Sequence, residues 1–472
     1  MPIIQSVDTC PDCLTLIRGG ALGAEGEPRR EADSENCLGG LRLRLRLKEN
    51  ASDRIEVRDM DGRDDEPVTV SGSRAYGARY ELLSDSTKDF SLVCGGPLYK
   101  FFLRIGLVKP PLHRSGWRMV VITLIAWAPL LLLAILSGCL VSGVRVPFLY
   151  DIDTQVRLLV VLPVLIAAEV AFYQEIRILV PQFVEQQIIT PVMLPKFEAF
   201  VQSAARLKDS AAAESGLLAL VIIVGTVMWR GLLGVHTGIW YSSVSGANHT
   251  LSPAGYWYVF VSLPIVEFIC LRWYLRVFLW ARLLWQISRM DLNLVASHPD
   301  RHCGLGFLEQ IVKGVAPFIV AHSILVFGFV AEGVLHDGMK LPHYRMEIAG
   351  MAVFLFLLAL GPLFVFTPKL IDRGKTASLS YGSLASDYVN KFERKWILGQ
   401  HPDDEPLIGT ADIQSLADLS NSFGIVQHIV PVPFGKETMF YLVSLIALPL
   451  LPLLLTMFSV QELVERLLKV LF

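Results

Sequence analysis

Three sets of residues in this chain have types and spacings suited to chemistry. The first lies inside long apolar runs: Glu169, Arg230, Glu267, Arg272, Arg276, His322 and Glu332. A charge at the centre of a bilayer costs roughly 2.5–3.5 kcal/mol or more unless it is paired or hydrated. Counting along each run puts Glu169, Glu267 and His322 near the middle, with Arg272 about one turn to the cytoplasmic side. Arg230 and Glu332 both fall toward the outer side. The expectation is a midplane polar cluster of Glu169, Glu267, Arg272 and His322, and an outer pair Arg230–Glu332. If hydrated, a carboxylate and an imidazole carry protons or bind a cation. If dry, the same groups are bridges that lock helices together. Both readings stay open.

The second set is a compact polar turn, HPDRHCGLGFLE (298–309). His298, His302 and Cys303, with Asp300 nearby, would suit zinc if they converged. Pro299 disfavours the α conformation at His298, so the two histidines need not share a helical face. Asp300 or Asp291 can instead cap a helix or pair with Arg301, and Gly304 and Gly306 permit a tight turn. The site expected here is therefore a structural turn, or a partner site of His298, Asp300, Arg301 and His302, with no metal assigned. The third set, Cys10 and Cys13, forms a CxxC without a second Cys/His pair or a surrounding βαβ pattern. The P-loop, dinucleotide GxGxxG, HExxH and GxSxG patterns do not occur. No catalytic residue or cofactor is assigned, and an enzyme is not the favoured reading.

These residues are positioned by apolar helices. The chain has 472 residues, 53% hydrophobic and 18% charged, well above the apolar share of a soluble domain. Its apolar residues gather into runs of the length that crosses a bilayer core. A formal net charge of −2 offers no broad basic field for nucleic acid. Seven cysteines are scattered without a disulfide spacing. The first 30 residues are polar, so the first span is expected to act as its own insertion signal.

Seven spans are expected, at 119–143, 158–179, 216–236, 255–283, 314–335, 348–367 and 438–458. Cations collect in the segment before the first span and in the loops 180–215, 284–313 and 368–437, and are sparse in the alternate loops. By the positive-inside rule the N-terminus is cytoplasmic. Residues 1–90 read as a polar, largely disordered tail and 91–472 as the membrane domain. Within the tail, LRLRLRLK (41–48) alternates like a strand. Just before the first span, Lys100, Arg104, Arg114 and Arg118 read as cations for lipid phosphates.

Helical spacing recurs in the cytoplasmic loops. Phe197, Phe200, Val201, Ala204 and Leu207 form one stripe, and Leu384, Tyr388, Phe392 and Trp396 another. A third helix follows at 410–423, with Thr410 as its N-cap. Pro449 and Pro452 kink the last span, or turn it back as a re-entrant loop. QELVERLLKVLF (461–472) reads as a short amphipathic helix. The fold expected is an all-α integral membrane protein, a bundle of about seven transmembrane helices with amphipathic cytoplasmic helices.

FSLVCGGPLYKFFLR (90–104), RWYLRVFLWARLLWQISR (272–289) with HPDRHCGLGFL, and TADIQSLADLSNSF (410–423) together resemble a family of uncharacterised bacterial multi-pass inner-membrane proteins. The resemblance covers about residue 88 to the C-terminus. Cys303 stands where that family usually has glycine. The resemblance implies location in a bacterial inner membrane and supplies no activity. The leading functional expectation is an ion or small-solute transporter or channel that uses the midplane cluster. The alternative is a non-catalytic membrane scaffold or sensor that binds a cytoplasmic protein partner through its loops.

Overall fold

A computed structural model describes residues 43–45, 57–59, 83–109, 112, 115–235, 239–245, 248–402, 406 and 410–456. The side chains of 43–45, 57–59, 86, 226, 228–235, 243–245, 248–250 and 456 lie outside that description. The chain divides into two units, Met1–Gly77 and Ala78–Phe472.

In the first unit, strand β1 (Leu43–Leu45) pairs antiparallel with β2 (Val57–Asp59). This is the alternating leucine–arginine stretch, whose period of two matches a strand. Cys10 and Cys13 lie outside the described residues.

The second unit is built from helices, and its packed body reaches back before residue 91. Leu83 and Phe90 are buried on either side of the short helix α1 (Asp85–Lys88). Then come α2 (Gly96–Arg104), α3 (Ser115–Leu136), α4 (Ile152–Glu185), α5 (Leu194–Lys208) and α6 (Ala211–Val235). A hairpin of β3 (Ser242–Ser245) and β4 (Asn248–Leu251) leads to α7 (Pro253–Ser288). The rest is α8 (Gly306–Leu335), α9 (Leu341–Ile397), α10 (Asp412–Gln427) and α11 (Lys436–Ala447), which continues as a 3-10 helix over Leu448–Thr456. Six of these, α3, α4, α7, α8, α9 and α11, are long and apolar enough to cross a membrane. The chain is a multi-pass membrane protein.

Local sequence explains where the helices start and bend. Asp151 caps α4, its carboxylate accepting from the Thr154 amide at 2.9 Å and the Thr154 hydroxyl at 2.7 Å. Ser252 caps α7 by accepting from the Gly255 amide at 3.0 Å, with Pro253 in the first turn, where no amide is missed. Each of these two long helices contains one π turn, Arg157–Val161 in α4 and Tyr258–Ser262 in α7. Pro449 and Pro452, read from sequence as a kink, fall in the 3-10 stretch that ends α11.

The connections gather at two ends. At the basal end, Lys208 donates to the carbonyls of Ser91 (3.0 Å) and Cys94. There too the Asn293 amide meets the Ile188 carbonyl at 2.9 Å, and the Gly435 amide meets Glu309 at 3.0 Å. At the apical end, Arg145 pairs with Asp337 at 2.6 Å, and the indole of Trp240 donates to Asp151 at 2.8 Å. Helix α11 starts at the basal end and reaches the apical cluster through Leu453, packed with Val330 and Tyr344. Its described residues therefore cross rather than turn back; residues 461–472 lie outside the description.

Helix α9 departs most from the sequence reading, which placed a loop after a span ending at 367. Instead, one helical unit runs from Leu341 to Ile397, 57 residues, relaxing into a 3-10 turn at Gly361–Phe366. Pro368 is tolerated because it falls in the first turn of the helix that restarts at Thr367.

Candidate functional site

The four residues expected as a midplane cluster do not form one. Glu169 projects from α4 into a buried ionic knot. Arg118 of α3 binds its Oε2, and Arg276 of α7 binds its Oε1 at 2.5 Å. Arg118 and Arg276 are only 4% and 3% exposed. The Arg276 guanidinium also lies over the Trp273 ring, 5.1 Å from its centroid. Arg272 belongs to the same region but turns to Glu214 at the start of α6, 3.7 Å away. The second oxygen of Glu214 accepts from the Leu98 amide of α2 at 2.8 Å. Three guanidiniums thus surround two carboxylates, and five helices are tied together.

Glu267 is elsewhere. From Glu267 to Arg276 is nine residues, so at about 100° per residue the two point to opposite sides of α7. Glu267 faces α6 at Gly225, and its Oε2 is buried without a hydrogen-bond partner among the described residues. His322 occupies a third place. Its Nδ1 lies 3.0 Å from the Phe318 carbonyl and its Nε2 2.7 Å from the Tyr274 hydroxyl. The carbonyl can only accept, so Nδ1 carries the proton and Nε2 accepts from Tyr274. Both ring nitrogens are engaged, which suits a helix-to-helix contact.

Of the expected outer pair, only Glu332 has its side chain among those described. Glu332 caps α4, accepting from the Ile152 amide at 3.0 Å, and sits 3.1 Å from His336 Nδ1. The side chain of Arg230 lies outside the described residues. Around the same end, Asp151, Thr154, Trp240 and Tyr258 form a continuous polar corner beside the two π turns, with the Thr154 hydroxyl 3.3 Å from that of Tyr258.

Sequence reasoning missed two members of the ionic knot. Arg118 was read as a lipid-phosphate cation because it stands at the mouth of an apolar run; it is buried instead. Glu214 was outside the span limits. The available signal was charge balance: Glu169 had no cation one turn away on its own helix.

The turn 298–309 is a basal structural knot centred on Asp300. Its Oδ1 accepts from the amides of His302 (2.8 Å) and Gly304 (3.1 Å), and its Oδ2 from that of Gly306 (2.9 Å). His298 Nδ1 lies 2.8 Å from the same carboxylate. Burial alone would raise the Asp300 carboxyl, but these donors outweigh it and hold it below the ordinary carboxylate value. The expected Asp300–Arg301 pairing is not among the contacts described; backbone amides fill the carboxylate. Arg301 (φ 59°), Cys303 (φ 56°) and Gly304 (φ 92°) are all left-handed, which folds the backbone around Asp300. Cys303 is 1% exposed, and burial pushes its thiol up to about 11. The Arg301 carbonyl accepts from the Val430 amide at 2.9 Å, tying the turn to the chain after α10. Among the described residues, no three His, Cys, Asp or Glu side chains stand close enough to share a metal ion.

The remaining basal feature is a helical hairpin formed by the distal part of α9 and α10. In α5, by contrast, the expected stripe is seated in the core, with Phe197, Val201 and Ala204 buried. The hairpin is held by Asp412, which takes Lys395 and the Trp396 indole at 2.9 Å each, while the Tyr388 hydroxyl reaches the Asp412 carbonyl at 3.0 Å. Helix α10 starts at Asp412 with Ala411 in the cap position, so Thr410 is not its N-cap. Beyond Ala377 no described residue of α9 is buried, and Leu379 (78%), Leu384, Val389, Ile397 and Leu398 are exposed.

No family model, curated protein or solved structure matches this chain.

Proposed function

We propose that the protein is a non-catalytic membrane scaffold or sensor that holds a protein partner on the α9–α10 hairpin. The observation that carries this reading is the exposed apolar surface of that hairpin, on a helix continuous with a membrane span. The basal end is the cytoplasmic one, because the loops rich in Lys and Arg meet there. Helix α6 then counts as a seventh crossing, since it leads from the basal Glu214 toward the apical strands. The ionic knot supports the scaffold reading: both oxygens of Glu169 are already engaged, which suits a fixed bridge better than a group that exchanges protons.

Photo-crosslinking in native membranes tests the proposal. A crosslinker at Leu384 or Ile397 is expected to give one discrete protein adduct, and the same group at the lipid-facing Leu132 only lipid. Hairpin positions that yield nothing beyond the Leu132 background would overturn it.

A second reading, ion or solute transport, rests on Glu267, whose Oε2 has no partner among the described residues. It requires Glu267→Gln to abolish a flux in proteoliposomes while the protein stays folded.

A further inference from the structure

One face of α7 lines a lateral groove of about 690 Å³, within the roughly 300–1,000 Å³ of ligand pockets. Tyr274, Phe278, Ala281, Arg282 and Trp285 recur on it at helical spacing. The opposite wall is the 3-10 turn of α9, where Gly361 has no side chain and Pro362 breaks the helical register. The groove is lined almost wholly by apolar atoms until Arg282 and Trp285, at its basal end.

The groove's polar end is incompletely satisfied. Arg282 Nη2 reaches the Ser203 hydroxyl at 3.3 Å, while its Nη1 is buried and has no partner among the described residues. An occupant that meets Arg282 must bring an anionic acceptor to the guanidinium. Its remaining length must be apolar. Half-exposed Trp285 beside Arg282 marks a headgroup level, where aromatic rings and snorkelling cations collect.

We infer that this groove is a site for one anionic glycerophospholipid: an acyl chain lies along α7 against Gly361 and Pro362, and the phosphate meets Arg282. The charge of Arg282 selects against neutral or cationic heads. Basic pockets between membrane helices bind lipid heads in this way.

The test uses the full chain reconstituted in nanodiscs of phosphatidylcholine doped with phosphatidylglycerol, followed by native mass spectrometry. Near-stoichiometric retention of phosphatidylglycerol over phosphatidylcholine is expected. Arg282→Gln should weaken retention roughly tenfold or more, the loss of one charge-assisted hydrogen bond. Ala281→Trp, which fills the groove and leaves the arginine, should also abolish it. Circular dichroism confirms that each variant is folded, and Arg282→Lys separates charge from fork geometry by restoring part of the retention. Equal retention of both lipids, or retention unchanged in Ala281→Trp, would overturn the inference. So would displacement of the lipid by millimolar inorganic phosphate alone, which would assign the arginine to a free anion.

Discussion

The guanidinium of Arg276 meets Glu169 at 2.5 Å across α7 and α4, with Arg118 on the carboxylate's other oxygen. This arrangement, rather than Glu267, concentrates the buried charge of the bundle. Glu169→Gln leaves two buried guanidiniums without their anion and should destabilise the protein by about 3–5 kcal/mol. Glu267→Gln removes a charge whose Oε2 is buried without a described partner and should not destabilise the protein. Thermal unfolding in detergent compares the two, and equal midpoints would remove Glu169 from its central role.

Asp300 gives the turn a defined pH response. Its carboxyl is held below the ordinary value, so the stabilisation is fully present above the unfolded carboxylate value of about 3.9 and is lost as pH falls through the folded value. Amide exchange at His302, Gly304 and Gly306, taken relative to the intrinsic rate at each pH, should be slow at neutral pH and accelerate only in acid. Asp300→Asn should accelerate it at neutral pH. Protection that survives both changes would mean the backbone alone holds the turn.

Cys303 occupies a left-handed position at φ 56° and is almost fully buried. An L-residue there costs roughly 1–2 kcal/mol, which the buried thiol offsets in part. Cys303→Gly relieves the backbone and loses the side chain, so its stability should stay close to that of the parent. The β-branched Cys303→Val should lose about 1–3 kcal/mol. The parent thiol, pushed up to about 11, should resist alkylation at pH 8 until the protein is unfolded.

Asp412 fastens the hairpin through Lys395, Trp396 and Tyr388. The hydrogen bonds from Lys395 and Trp396 hold its carboxyl below the ordinary value. Asp412→Ala should speed hydrogen exchange in 388–398 and 412–423 and leave the bundle's unfolding midpoint unchanged. A midpoint that drops as far as in Glu169→Gln would show the hairpin to be part of the bundle's core.

The membrane helices were legible because runs of apolar residues report length directly. What sequence could not report was angle. Glu169, Glu267, Arg272 and His322 share a depth when counted along their own helices. Nine residues of α helix nevertheless set Glu267 and Arg276 on opposite faces. Arg118 and Glu214 were hidden for a related reason: each belongs to the knot only through helices far away in sequence. At Thr367 the composition turns polar and reads as a loop, but helix continues there because Pro368 sits where no amide hydrogen bond is needed. The turn at 298–309 announced itself by His-Pro-Asp and two glycines, whereas its centre, Asp300 filled by backbone amides, is a matter of folded geometry.

Helix α9 has a mechanical consequence. Its 57 residues run from the apical loops to the hairpin tip, and the 3-10 turn at Gly361–Phe366 is where its regular hydrogen bonding changes. From Thr367 to Ile397 the arm is roughly 46 Å long, so a 10° bend at that turn sweeps the tip on the order of 8 Å. The same turn forms one wall of the groove on α7. An occupant of that groove would bear on the turn and so help set where the hairpin points, with α9 as the lever and the turn as its fulcrum.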